Sequence, residues 1–278
     1  MRRSKLISRI LGLIVVGGGG LVMLLPFVWL ISSSFKAANK IYVFPPQLIP
    51  EPFRWQNYVE VFSAVAALLF TPNKMIITFF ATIGTVLSSI LAGYAFGRLT
   101  FKGRDTIFSI LLATLMLPYV VTMIPIYVMF SKVGWVNTLL PLIVPSFFGE
   151  AFFIFLLRQF FRTIPMELED AARIDGASRL RVLFQIMVPL ARPAVVVVTI
   201  QTVLDNWNAF MQPLIFLTKR SVWTLALGLN SLQRFETGRD WTHYMMVLGV
   251  FMVVPVIVIY FLAQREFIQG IVMTGLKA

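Results

Sequence analysis

Two carboxylates, Glu150 and Asp205, stand inside otherwise uncharged apolar stretches of the 278-residue chain. An ionised group at membrane depth is costly and is usually retained for function. Asn206 and Asn208 flank Trp207 beside Asp205, so hydrogen-bonding groups would lie next to an aromatic face. That combination suits a ligand with many hydroxyls and an apolar ring face, as a sugar has. The structural use of the same residues is interhelical pairing, each acid held by donors on neighbouring helices. Covalent chemistry has little to work with. The absence of cysteine excludes disulfides, thiol catalysis, zinc–thiolate clusters and iron–sulfur sites. The one histidine, His243, leaves no His-rich metal site and no Ser-His relay elsewhere. No Gly-x-x-x-x-Gly-Lys-Ser/Thr loop is present to cradle a nucleotide phosphate. No catalytic residue, metal ligand or resident cofactor is expected, and the chain does not read as an enzyme.

Charge is concentrated in one other place. Residues 165–193 read PMELEDAARIDGASRLRVLFQIMVPLARP, with two Glu, two Asp and four Arg around a single Gly. Pro165 suits a first helical turn, and Glu167, Glu169 and Asp170 follow where carboxylates favour a helix N-terminus. Leu168, Ala171, Ala172 and Ile174 fall on one side, and Glu167, Asp170 and Arg173 on another. Gly176 then ends the helix as a C′ glycine. A second helix brings Leu180, Leu183, Phe184 and Met187 onto one face, with Arg179, Arg181 and Gln185 off it. Pro189 and Pro193 mark the return to apolar sequence. The first helix offers Ala171, Ala172 and Ala177 bordered by charge, a surface over which another protein's groove can close. The plainer reading is an ordinary surface loop.

The elements that must position these residues follow from composition. The chain is 58% hydrophobic and 13% charged, with mean hydropathy +0.84, whereas soluble domains carry about 25% charged residues. This is an all-helical integral membrane protein. Six runs reach the roughly 20 residues that a bilayer requires: 10–31, 75–97, 107–130, 139–157, 194–217 and 244–263. The basic N-terminus, Met1 to Lys5, has the look of a signal peptide, but the following run is longer than an h-region and lacks a cleavage site, so it reads as a retained first span. The net charge of +12 reads as topology rather than nucleic-acid binding. With the N-terminus in the cytoplasm, 15 of the 24 Lys and Arg fall in inner segments and 9 in the longer outer ones, which favours both termini inside. Residues 158–193 are then cytoplasmic, and 32–74 and 218–243 are outer loops. Gly84, Ser88 and Ala92, and Ser89, Gly93 and Gly97, recur at the spacing that lets helices approach closely. Gly17 to Gly20 mark a flexible or closely packed site. No internal repeat stands out, so six spans look like half of a larger assembly rather than a complete secondary transporter.

The string Glu169-Asp170-Ala171-Ala172-Arg173-Ile174-Asp175-Gly176-Ala177, with Phe184 and Pro189-Leu190 downstream, resembles the EAA loop of ABC importer permeases. The likeness extends over nearly the whole chain and is nearest to the six-span, maltose-type sugar permeases. It includes Tyr94-Ala95-Phe96-Gly97-Arg98, Leu117-Pro118, Ile124-Pro125 and Phe155 to Phe161. It continues through Trp207 to Leu214, Gln264 and Gly270 to Lys277. Three positions depart from the family pattern: Asp170 replaces the usual glutamate, Ala209 stands where an acid commonly follows the Trp-Asn pair, and Lys74 stands where a serine usually follows Asn73.

The resemblance implies a type I ABC importer permease (MetI-like) fold formed by one domain, residues 1–278. It implies a multi-pass protein of the inner membrane of a prokaryote, forming half of a sugar translocation pore. The loop would be a coupling helix, with Glu169, Asp170, Ala171, Ala172, Asp175, Gly176 and Ala177 meeting a cytoplasmic ATPase. Gly275, Leu276 and Lys277 at the C-terminus would also reach that ATPase. ATP and Mg would be bound by the ATPase, not by this chain. The other implied partners are a second permease, a solute-binding protein meeting the outer loops, the sugar and membrane lipid. Trp55, Tyr58, Phe235 and Trp241 are aromatic contact candidates in those loops, or interfacial anchors. Glu150, Asp205, Asn206, Trp207 and Asn208 are the candidate substrate path. A stand-alone channel or secondary carrier remains the alternative.

Overall fold

The computed structural model describes residues 2–64, 67–234 and 240–275. The helices in chain order are α1 (Arg2–Ser34), α2 (Asn57–Ala64), α3 (Ala67–Arg98), α4 (Arg104–Thr114) and α5 (Tyr119–Lys132). After the one-turn α6 (Leu140–Ile143) come α7 (Ala151–Thr163), α8 (Met166–Ile174), α9 (Arg179–Val182) and α10 (Val188–Leu190). The rest are α11 (Arg192–Asn208), α12 (Met211–Phe216), α13 (Leu225–Arg234) and α14 (Thr242–Gly275). No strand occurs among the described residues.

Four of these stretches are long and apolar enough to cross a membrane: Leu11–Ser34, Leu69–Arg98, Leu140–Thr163 and Thr242–Leu262. Two bent pairs raise the number to six if each is one span: α4 with α5, bent by 101°, and Arg179–Leu190 with α11, bent by 84°. The bends have local causes. Pro118 is extended at ψ 136 and starts α5, and a proline disfavours helix in the residue before it. Within 139–157, where one continuous span is expected, α6 gives way to a 3₁₀ turn at Val144–Phe148 and then to Gly149 at φ +91. With ψ at 150 this is a positive-φ conformation that only glycine adopts without strain. Within 194–217, α11 stops at Asn208 and a separate α12 begins at Met211, after a two-residue break.

The chain divides into two compact units. In the one formed by 1–68 and 228–254, α1 stands apart: residues 11–28 are exposed throughout, and a Cβ at Gly17, Gly18, Gly19 or Gly20 would meet nothing within 4 Å. The glycine run therefore makes no close approach within this chain. Beyond α1 the chain is tied down by Asn57, whose Nδ2 donates to Ser34 O at 2.9 Å and Lys36 O at 2.8 Å. The buried Lys36 donates to Gln47 O at 2.5 Å and lies 3.9 Å above the Trp29 ring. Burial holds its ammonium below the usual lysine range. Tyr58 stacks on Phe35 at 4.9 Å, and Asp240 caps α14 by accepting from Thr242 N at 2.9 Å.

The other unit, 69–227 with 255–278, is built around α3. One core joins Ile90 and Tyr94 of α3 to Phe153, Leu157 and Phe161 of α7, to Leu183 and Met187, and to Ala194 and Val198 of α11. The small residues of α3 serve the close approaches that their spacing predicts. A Cβ on Gly93 would lie 2.9 Å from Leu157 Cβ and 3.2 Å from Arg158 N, and one on Gly84 would lie 2.7 Å from the Phe147 ring. Ser88 Oγ lies 3.1 Å from Ser146 O, a carbonyl of the 3₁₀ turn, which shares the hydroxyl proton with Gly84 O of α3 at 2.7 Å. Asn137, at φ +66, closes the chain reversal after α12: its Oδ1 accepts from Thr218 N at 2.7 Å and Lys219 N at 2.8 Å.

These contacts separate two kinds of glycine. Gly93→Leu forces α3 and α7 apart and should cost about 1–3 kcal/mol, lowering the thermal unfolding midpoint of the purified protein in detergent. Gly18→Ala fills open space on an exposed helix and should leave the midpoint unchanged or slightly raised. Equal losses at both positions would contradict this packing.

Candidate functional site

The charged loop is a compact helix–turn–helix. Pro165, at ψ 138, precedes α8, and Glu167 and Glu169 occupy its first turn. The helix ends in a Schellman arrangement. Gly176 sits at φ +83, its N–H donates to Arg173 O at 3.1 Å, and Ala177 N–H donates to Ala172 O at 2.9 Å. Ser178 then caps α9 by accepting from Arg181 N at 3.3 Å. From Leu183 to Met187 the following helix is a π turn. Such a turn shifts the register of one face against the next. Val182, Leu183 and Met187 consequently face the core, while Leu180 and Phe184, expected on the same face, are exposed.

The seven loop residues singled out from the sequence are divided by α8 into two sets. Asp170, Ala171, Asp175 and Gly176 face outward, together with Leu168 and an Ile174 that is 87% exposed. Ala172 and Ala177 pack half-buried against the core. Glu169 is 5% exposed, and its Oε1 accepts from Tyr94 OH of α3 at 2.5 Å. Its Oε2 has no hydrogen-bond partner. Arg98, at the end of α3, donates to Ile164 O and, at 3.1 Å, to Met166 Sδ, so it grips the entry into α8. The side chains that hold α8 to α3 escaped the sequence reading. Tyr94 and Arg98 carried no signal beyond the resemblance itself. Of the C-terminal candidates, Gly275 is the last residue of α14, while Leu276 and Lys277 lie outside the described residues, as does Phe235.

The second site is a cavity of about 740 Å³, within the usual range for small-ligand pockets. Its walls come from α3, α5, the 140–150 segment, the end of α11 and α12. The polar groups on its walls include Glu150, Asp205, Asn206, Tyr119, Ser146 and Gln212. Glu150 is placed by the Gly149 turn at the head of α7. Asp205 Oδ1 accepts from Gln201 Nε2 one turn earlier at 2.9 Å. The structure thus brings Glu150, Asp205 and Asn206 to one cavity. Trp207 is 7% exposed and off the cavity wall, and Asn208 is exposed and also off it. Residues 205–208 lie on α11, where each step turns about 100°, so they cannot all share a face.

Among the described residues no Lys, Arg or His lines this cavity. The nearby Lys74 of α3 is 1% exposed, and its Nζ donates to Ala209 O at 3.0 Å, at the break between α11 and α12. Its neighbour Asn73 donates to Ser221 O and Trp223 O, both at 3.0 Å. Two of the three departures from the family pattern, Lys74 and Ala209, are therefore in contact.

A family model described as the binding-protein-dependent transport system inner membrane component matches residues 84–272, covering the loop and the cavity walls. The inner membrane ABC transporter permease protein YcjP of Escherichia coli (strain K12) is 30% identical over 260 residues, 92% of each chain. The arabinooligosaccharides transport system permease protein AraQ of Halalkalibacterium halodurans is 31% identical over 260 residues, again 92% of each. Among solved structures, a bacterial ABC transporter involved in the import of the acidic polysaccharide alginate matches with a TM-score of 0.84 at 23% identity. That match covers 95% of this chain and 98% of the other, and it shows a shared fold. The chain belongs to the binding-protein-dependent transport system inner membrane component family, the membrane-embedded permeases of ABC transporters.

Proposed function

We propose that the chain forms half of the translocation pore of an ATP-driven sugar importer and transmits the work of a partner ATPase through α8. The observation that carries this is the two-sided character of α8. One side is bonded to α3 and the core, and the other exposes Leu168, Asp170, Ala171, Ile174 and Asp175. An exposed apolar and acidic helix face, closed at its end by its own backbone bonds, suits a groove on a nucleotide-binding subunit. ATP and Mg belong to that subunit. Closure of its dimer would move α8, and with it the helices to which α8 is bonded.

In this reading residues 158–193 and both termini lie in the cytoplasm, and the whole chain acts as one permease domain. A second permease completes the pore, and a solute-binding protein delivers substrate to the outer loops. Sugar as cargo is supported by the arabinooligosaccharide and alginate systems among the similar proteins. The hydroxyl, amide and carboxylate groups of the cavity agree with it. Glu150, Asp205 and Asn206 would meet the sugar there, each offering acceptors to its hydroxyls.

Two measurements test this. The purified chain should bring a nucleotide-binding protein with it. Gly176→Val places a β-branched residue at φ +83, a strain of about 1–3 kcal/mol, and should weaken that association or abolish coupled uptake. Gly176→Asn, which tolerates the left-handed region, should retain both. A Cβ here meets nothing within 4 Å in this chain, so crowding at Cβ within the chain does not separate the two variants. Normal assembly and uptake by the valine variant would refute the assignment. In the same complex, Asp205→Asn and Glu150→Gln should lower sugar uptake at least about tenfold, near 1.4 kcal/mol, more than they lower ATP hydrolysis. Equal losses of both activities would instead mark these acids as structural.

A further inference from the structure

We propose that α3 is the member that carries motion of α8 to the cavity, with Tyr94 and Lys74 as the positioning residues at its two ends. The proposal rests on the coupling role argued above and adds the route. Within residues 69–227 the other candidate spans are interrupted: α4 and α5 by a 101° bend, 140–163 by a 3₁₀ turn and Gly149, and the α9–α11 stretch by an 84° bend. The helix α3 runs unbroken for 32 residues. A broken element absorbs a displacement at its joint, whereas an unbroken helix delivers it from end to end.

Each end of α3 is held by a buried polar contact. At the loop end, the Tyr94 hydroxyl bonds a carboxylate, Glu169, that is almost fully buried and otherwise unsatisfied. Leaving a carboxyl group so buried is expensive, so α8 and α3 are bound to move together at this point. Arg98 adds its bonds to Ile164 O and Met166. At the far end the ammonium of Lys74 is buried within a span, where charge usually marks function. It meets no carboxylate of the described residues within ion-pair distance, only the Ala209 carbonyl. Ala209 itself lines the cavity beside Asp205 and Asn206. Between the two ends Thr85 lines the same cavity, and Ser88 bonds Ser146 on its wall. Lys74 and Tyr94 are 20 positions apart, about 30 Å along a helix. A shift or tilt of α3 at Glu169 therefore reaches the α11–α12 break through its own axis.

The test uses the assembled complex of permeases, ATPase and solute-binding protein in lipid. The reading is the stimulation of ATP hydrolysis by sugar-loaded binding protein over the basal rate. Tyr94→Phe and Lys74→Met should each reduce that stimulation about tenfold while the complex assembles and keeps its basal hydrolysis. The double variant should fall no further than the worse single, because both break one linkage. Lys74→Arg, which keeps a donor, should recover most of the response. Independent packing contacts this far apart would instead combine additively, giving a loss of about a hundredfold, and that outcome overturns the proposal. So does wild-type stimulation in either single variant. Should Tyr94→Phe fail to assemble because Glu169 is orphaned, Tyr94→Phe with Glu169→Leu removes both partners and takes its place in the cycle. A wild-type complex that no sugar stimulates would sink the coupling reading itself, whereas unaffected variants in a responsive complex sink only the route through α3.

Discussion

A helix broken within hydrocarbon frees amides and carbonyls that water cannot reach, and the protein must bond them itself. That constraint organises the larger unit of this chain. The 3₁₀ turn before Gly149 has Ser146 O bonded by Ser88. The break at Ala209 has its carbonyl bonded by Lys74. The reversal after α12 is closed by Asn137. Two of these three bonds come from α3, so this unbroken helix also serves as the backbone's substitute for solvent. The cavity exists because the elements around it are broken, and the breaks persist because α3 completes them.

The same helix explains how the charged loop can be both attached and available. Its inward side chains, Glu169, Ala172 and Ala177, are absorbed by Tyr94 and the core, while its outward side chains are exposed. The Schellman closure at Gly176 and the Ser178 cap satisfy the helix ends locally. The shape of α8 is therefore independent of the partner it would serve, and a small element with internally satisfied ends can be pushed as a rigid piece.

Much of this was readable from residue order. Long apolar runs located the membrane-length elements, and the pattern from Pro165 through Gly176 announced helix, turn and helix because caps and a C′ glycine act locally. Gly84 and Gly93 were marked as close approaches by spacing alone. What escaped were contacts whose partners are distant in sequence. Which side of α8 faces the core depends on Tyr94, 75 positions away from Glu169. The interruptions at Gly149 and Ala209 were hidden because apolar composition is the same in a straight helix and a broken one. Lys74 stood out only as a departure from a family pattern, and its role becomes visible only once Ala209 is beside it. Asp205 lines the cavity and Trp207 does not, for a reason already in the sequence, since residues two positions apart on a helix point in nearly opposite directions.

The bare stretch of α1 has its own consequence. Residues 11–28 are exposed throughout, and the four glycines leave one belt of that helix without side chains. The rotation of this helix about its long axis is therefore decided by its neighbours, whether acyl chains or another subunit. Natural variation along it is filtered by assembly and lipid composition rather than by the folding of the remaining polypeptide.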